Sequence, residues 1–208
     1  MSRTAIDIKG FEAKFQDNPD PWNYATSPFE AHKRRILRLA CDSRQYGRGL
    51  ELACANGETS KVLAPICLNL LAVDGSPTAV AEAKRRTQDI SNVAVAYAAL
   101  PNGLPRRQFD LIVASEIFYY LKPFDLHRLL VRLYQSLAPG GRIVCLHHIV
   151  DFDDAASRPA QAQHLANAYF RKRCRAVLSR PYGRFEVSAF EKPNSRPSVQ
   201  RKHGGPSA

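Results

Sequence analysis

Leu50-Glu51-Leu52-Ala53-Cys54-Ala55-Asn56-Gly57-Glu58-Thr59 is the stretch whose reading decides the fold. An apolar run holding an acidic residue (Leu50–Cys54) reads as a strand, small residues then make a tight turn, and Glu58 opens a helix. Such a turn brings ligand atoms close to backbone N–H groups at a helix N-terminus. Alone it is a weak signal, because small residues suit any strand-to-helix junction.

Working outward, short apolar runs alternate with helical segments. Downstream come a helix from Glu58 to about Pro65, a strand at Leu70–Asp74, and a helix from Ser76-Pro77 to about Arg86. Val93–Tyr97 and Phe109–Ser115 are the next strands. Phe124–Leu137 is an amphipathic helix stopped by Pro139-Gly140-Gly141, and Arg142–Leu146 is a further strand. Ala156 to about Leu178 reads as the last helix and Phe185–Phe190 as a closing strand. Upstream, Ser27-Pro28-Phe29-Glu30 is a capping box with proline at the first helical position, opening a helix to about Cys41. Before it lie a short helix (Phe11–Gln16) and the proline-bent Asp17–Tyr24, which carries Trp22, the only tryptophan. Trp22 either closes over a flat ligand or staples this arm to the core. Near-continuous apolar strands alternating with helices specify an α/β, doubly wound, mostly parallel sheet covered on both faces. The chain divides into an N-terminal helical arm or lid (1–47), a main domain (48–191) and a basic, disordered tail (192–208).

The 208 residues suit one domain, and an apolar fraction of 45% excludes general disorder. The N-terminus lacks a secretory signal, and the longest apolar patch, Val62–Val73, is too short to span a bilayer. Five scattered cysteines favour reduced thiols and a cytoplasmic location. The net charge of +11 suggests an anionic partner or a solvated basic surface.

In an open α/β sheet the ligand lies beyond the C-terminal strand ends. The candidates there are Ala53–Gly57, Asp74 about 20 residues on, where a carboxylate takes ribose hydroxyls, Ser115-Glu116 with Tyr119 and Tyr120, and His147-His148. The two histidines titrate near neutrality and face opposite ways, so one of them can act as a base. With Asp151, Asp153 and Asp154 they make a poor metal set, since the carboxylates suit hard cations and the histidines do not. No metal is expected.

Read together, these strings resemble class I S-adenosylmethionine-dependent methyltransferases. Leu50–Gly57 corresponds to that family's glycine motif and Val73-Asp74-Gly75-Ser76 to its second. Phe109–Val113 with Ser115-Glu116, and Leu137–Arg142, correspond to later ones. More narrowly, Asp20-Pro21-Trp22, Ser27–Glu30 and Ser115–Leu121 resemble the nodulation protein S (NodS) family, N-methyltransferases of chitooligosaccharide amines. The resemblance implies a seven-stranded Rossmann-like sheet and S-adenosyl-L-methionine as cofactor, with S-adenosyl-L-homocysteine as product. It implies donor contacts at Trp22, Lys33, Glu51, Ala53, Cys54, Ala55, Gly57, Asp74, Gly75, Ser76, Leu100, Ser115 and Glu116. Glu116, Tyr119, Tyr120, His147 and His148 become candidates for catalysis, and the acceptor a small molecule or glycan. Two rival readings are an RNA or protein methyltransferase drawn to its substrate by charge, and a non-catalytic S-adenosylmethionine-binding protein. Nucleic acid is the less favoured partner, because no Asp/Asn-Pro-Pro-aromatic string follows the fourth strand; oligomeric state is left open. Two departures stand out. Ala53 and Ala55 replace motif glycines, and donor binding is expected to survive, weakened by about 1 kcal/mol, if both adopt negative φ. Ala98–Pro101 offers no acid to the adenine amine.

Overall fold

The computed structural model, which describes residues 5–194, joins seven strands into one sheet. In chain order these are β1 (Tyr46–Leu52), β2 (Cys67–Asp74), β3 (Val93–Tyr97), β4 (Phe109–Ser115), β5 (Leu137–His148), β6 (Arg175–Tyr182) and β7 (Phe185–Glu191). Across the sheet they lie in the order β3-β2-β1-β4-β5-β7-β6. The first five run parallel, while β7 is antiparallel to both β5 and β6. The chain winds outward in both directions from the β1/β4 pair. Its switch-point crevice therefore lies beyond Leu52 and Ser115, where a ligand belongs in this architecture.

Six helices cover the sheet: α1 (Ile8–Asp17), α2 (Pro28–Ala40), α3 (Glu58–Leu63), α4 (Pro77–Arg86), α5 (Pro123–Ser136) and α6 (Pro159–Arg171). Proline opens four of them, where its missing N–H is no loss. Ser27 and Ser76 cap α2 and α4 by accepting from the N–H of Glu30 and Ala79.

Alternation along the strands separates two apolar layers. Ile112, Ala114, Ile143 and Cys145 pack with Leu126, Leu129, Leu133 and Phe170 of α5 and α6. Leu111, Val113, Val144 and Leu146 face the other way and pack with Ile36, Leu37 and Ala40 of α2. Fully burying one such aliphatic side chain contributes about 1.5–3 kcal/mol, so α2 is part of the core layer as well as of the N-terminal arm.

The expected last helix is the main correction. It starts at Pro159 and ends at Arg171, and the residues from Arg175 form the edge strand β6. An irregularity between Ala176 and Leu178 breaks the strand's period of two, and basic residues on its exposed side disguise it as a helix face. Pro181 is tolerated because an edge strand needs no donor on its outer side. β1 starts earlier than expected, at Tyr46, and ends at Leu52; β5 already begins at Leu137 and runs through Pro139-Gly140-Gly141. Lys192, assigned from sequence to the tail, is fixed by bonds from its Nζ to the Tyr134 and Leu137 carbonyls at 2.9 and 2.7 Å. Residues 195–208 of the tail lie outside the described residues. Among the described residues no helix is long and apolar enough to cross a membrane.

Candidate active site

The turn after β1 is built from left-handed residues at alternate positions: Ala53 (φ 51°), Ala55 (φ 48°) and Gly57 (φ 84°). The condition of negative φ at the two alanines is not met. The chain must reverse between Leu52 and Glu58, and it does so with Cys54 N–H on the Val73 carbonyl and Gly57 N–H on the Cys54 carbonyl, at 3.0 and 2.9 Å. Each left-handed alanine costs about 1–2 kcal/mol. At Ala55 the conformation aims its N–H at Asp74 Oδ2, 2.9 Å away, a charge-assisted bond that offsets the strain. At Gly57 an added Cβ would lie 3.2 Å from Ala83 Cα, so glycine serves there for space as well as φ.

Two carboxyl groups flank this turn. Glu51 is 2% exposed and accepts the Ser60 hydroxyl at 2.5 Å. Burial pushes its carboxyl up to about 8, with the Asp74 charge adding to the shift. Asp74 also accepts the Ser76 N–H, at 2.9 Å. Burial raises its pKa, opposed by the N–H groups of Ser76, Ala55 and Gly75. Beside them Asn56 Nδ2 is buried with no hydrogen-bond partner. From α1, Glu12 reaches over to accept from Ser76 Oγ, Thr78 N and Thr78 Oγ1, tying the arm to the start of α4.

A second hub follows β4. Glu116 has φ 54°, its N–H bonds the Leu146 carbonyl, and its Oε2 accepts from Tyr119 OH at 2.5 Å and His148 N at 2.9 Å. Lys33 of α2 forms an ion pair with Glu116 Oε1 and contacts both Glu30 oxygens at 3.1 Å. Burial alone would raise the Glu116 pKa, but the Lys33 charge and the His148 N–H outweigh it and hold the carboxyl low. Lys33 is correspondingly held above its ordinary value, burial being outweighed by the two glutamates.

Between the hubs lies a cavity of about 560 Å³. Its lining includes Trp22, Lys33, Glu51, Ala53, Cys54, Ala55, Asp74, Gly75, Ser76, Leu100, Ser115, Glu116 and Tyr120, so the structure brings most of the sequence-selected residues together. Gly57, Tyr119, His147 and His148 are not part of the wall. His147 is fully buried, stacked 4.2 Å from Phe118, with Nδ1 on Gln163 Oε1 and Nε2 unpartnered. Gln163 Nε2 points to Ser188 and Asn167, which leaves Oε1 to accept and makes His147 the Nδ1–H tautomer. Burial pushes its pKa down to about 4. His148 is half-buried, its pKa lowered chiefly by burial.

Sequence reading missed Phe11, Tyr24 and Arg34, all in the wall. Phe11 and Phe15, one helical turn apart, meet Trp22 at 6.1 and 5.6 Å, and Phe11 meets Tyr120 edge-on at 4.7 Å. Asp20 accepts from the N–H groups of Tyr24 and Ala25, which is what the Asp20-Pro21-Trp22 string contributes. Asp154 takes Lys14 at 2.6 Å, and among the described residues no group of three metal-ligating side chains could hold an ion. The five cysteines are free and buried.

Although the chain is strongly basic, its cavity is not. Asp7, Glu30, Glu58, Asp74, Glu116 and Asp125 line it against Lys33, Arg34 and Lys122, with Glu51 beside them as an uncharged carboxylic acid near neutral pH. An acidic, partly apolar crevice favours a cationic ligand.

The sequence profile of the Nodulation protein S (NodS) family matches residues 7–147. Nodulation protein S of Bradyrhizobium diazoefficiens is 32% identical over 127 residues, 60% of this chain and 61% of that protein. The Sinorhizobium fredii protein is 33% identical over the same length, 60% of this chain and 59% of its own. The match thus spans about three fifths of these curated relatives. Among solved structures, the N-methyltransferase NodS of Bradyrhizobium japonicum WM9 in complex with S-adenosyl-L-homocysteine superposes with a TM-score of 0.77 at 24% identity, over 90% of this chain and 98% of that one. A putative methyltransferase from Pseudomonas syringae gives 0.68 at 34% identity, over 79% and 99%.

Proposed function

The chain belongs to the nodulation protein S family, and from that premise we propose that it is an S-adenosylmethionine-dependent N-methyltransferase acting on an amino sugar. The observation that carries the reading is the acidic cavity at the switch point of a +11 chain. A sulfonium donor and an amine acceptor both suit such a crevice, whereas a phosphate backbone does not.

The residues present fit the donor. Asp74 keeps lone pairs for a ribose diol beyond its two backbone bonds. The unpartnered Asn56 Nδ2 offers a donor toward the methionyl end, while the N–H groups of Cys54, Ala55 and Gly57 are already taken by Val73, Asp74 and Cys54. Leu100 and Ala98 give an apolar wall for the adenine, in place of the acid that the sequence lacks. Trp22, Phe11 and Tyr24, carried on the arm of residues 1–47, close the cavity from above. When bound, S-adenosylmethionine supplies a methyl group activated by its sulfonium.

The chain's own part is to orient the acceptor and exclude water. Three donors leave one acceptor position on Glu116, enough to take an N–H of the acceptor in its neutral amine form and turn the nitrogen lone pair inward, the product leaving as the methylammonium. Tyr120 adds an aromatic ring to the lining, a group that attracts cations. His147, neutral and away from the wall, has a structural part in this reading. Buried thiols fit a cytoplasmic protein.

A labelled-methyl assay tests the acceptor. De-N-acetylated chitooligosaccharides should accept label and their fully N-acetylated counterparts should not. Equal labelling of the two, or labelling of RNA alone, would refute the assignment.

A further inference from the structure

The β6–β7 turn lies beyond the family-matched residues 7–147 and stands at the cavity end of the sheet, because Phe185 pairs with His148 at the end of β5. Two guanidinium groups bracket a run of aromatic rings there. Arg180 Cζ lies 5.2 Å from the Tyr182 ring, Tyr182 stacks on Phe185 at 5.2 Å, Phe29 meets Phe185 edge-on at 5.9 Å, and Arg184 Cζ sits 4.2 Å over Phe29. Lys33 Nζ, which lines the cavity, approaches the same Phe29 ring at 5.5 Å. Arg180 and Arg184 are exposed, and among the described residues neither forms an ion pair. The carboxylate of the neighbouring Glu186 is turned to the other face, where it accepts from Asn167 at 2.8 Å.

We propose that this rim binds an anionic group on the acceptor, a carboxylate on the sugar next to the reacting amine. The favoured acceptor is then zwitterionic, with its amine in the acidic cavity and its anion at the arginine rim, where either guanidinium can take it. Guanidinium groups bind carboxylates in a two-pronged way, and stacking on rings holds them ready with less entropy to lose. Opposite charge at the two ends also fixes the direction in which an acceptor enters. The proposal rests on the methyltransferase reading of the cavity.

Calorimetry on the full chain tests it in two steps. S-adenosylhomocysteine is titrated first, and its failure to bind would sink the cavity reading and this proposal with it. The loaded protein is then titrated with a free-amine glucosamine–glucuronic acid disaccharide and with the glucosamine–glucose disaccharide, which keeps the amine and lacks the carboxylate. The uronate should bind roughly tenfold tighter at low salt, with the preference fading as salt rises. Arg180→Gln/Arg184→Gln should abolish the preference while leaving the first titration unchanged. No preference in the wild type, no binding of the uronate, or a preference that survives in the double variant overturns the proposal. Tighter binding of an RNA oligonucleotide through the same two arginines would overturn it in favour of nucleic acid.

Discussion

Gly57→Ala tests the claim that the turn after β1 is a strained, space-limited cradle. Gly57 sits at φ 84°, and left-handed alanine costs about 1–2 kcal/mol. The new Cβ would lie 3.2 Å from Ala83 Cα, 3.3 Å from Ala83 Cβ and 3.4 Å from Ala83 O, and two of these atoms are backbone of α4, which must shift. Overpacking of this kind adds about 1 kcal/mol or more. A stiffer unfolded chain returns about 0.4–1 kcal/mol. The net is a loss of about 2 kcal/mol, or roughly 4–8 °C in Tm for a chain of this size. Ala53→Gly and Ala55→Gly are the matched controls, since both alanines already occupy the left-handed region. Relief of strain and a freer unfolded chain nearly cancel, so these two should fall within about 1 kcal/mol of the wild type. Urea denaturation at fixed pH reads all three variants. If Gly57→Ala also falls within about 0.5 kcal/mol of wild type, the account of the turn is wrong.

Lys33→Met should destabilise by about 3–5 kcal/mol, because Glu116 is left buried without its counter-charge; a urea midpoint close to wild type would contradict this. Glu51 binds its proton more tightly in the folded protein, at about 8 against an ordinary 4.5, so its contribution to stability is lost as pH rises across that window. Urea midpoints from pH 4.5 to 8 should therefore fall more steeply for the wild type than for Glu51→Gln, and parallel curves would rule the assignment out. His147 is held neutral, so nitrogen NMR should show the Nδ1–H tautomer with no titration above about pH 5; an imidazolium at pH 6 would restore it as a candidate base.

The strand-end acids were legible in the sequence for a physical reason. Glu51, Asp74 and Glu116 are polar residues in or just after strands buried on both faces, and topology alone carries such positions to one crevice. The arm was only half legible. Asp20-Pro21-Trp22 announced an ordered turn, but the approach of Phe11, Tyr24 and Arg34 to the cavity depends on where α1 and α2 dock. That docking rests on contacts distant in sequence, such as Glu12 with Thr78 and Lys14 with Asp154. The left-handed alanines ran against residue preference, which is where a functional turn departs from local rules. β6 was misread because its bulge and its basic exposed residues imitate a helix face.

Binding of S-adenosylhomocysteine by calorimetry, in the wild type and in Asp74→Asn, tests the central claim most directly. The account predicts roughly micromolar affinity, about −8 kcal/mol. It also predicts at least a tenfold loss in the variant, as expected for weakening a charge-assisted bond worth about 1.5–3 kcal/mol. No binding below millimolar concentration, or unchanged affinity in Asp74→Asn, would contradict it.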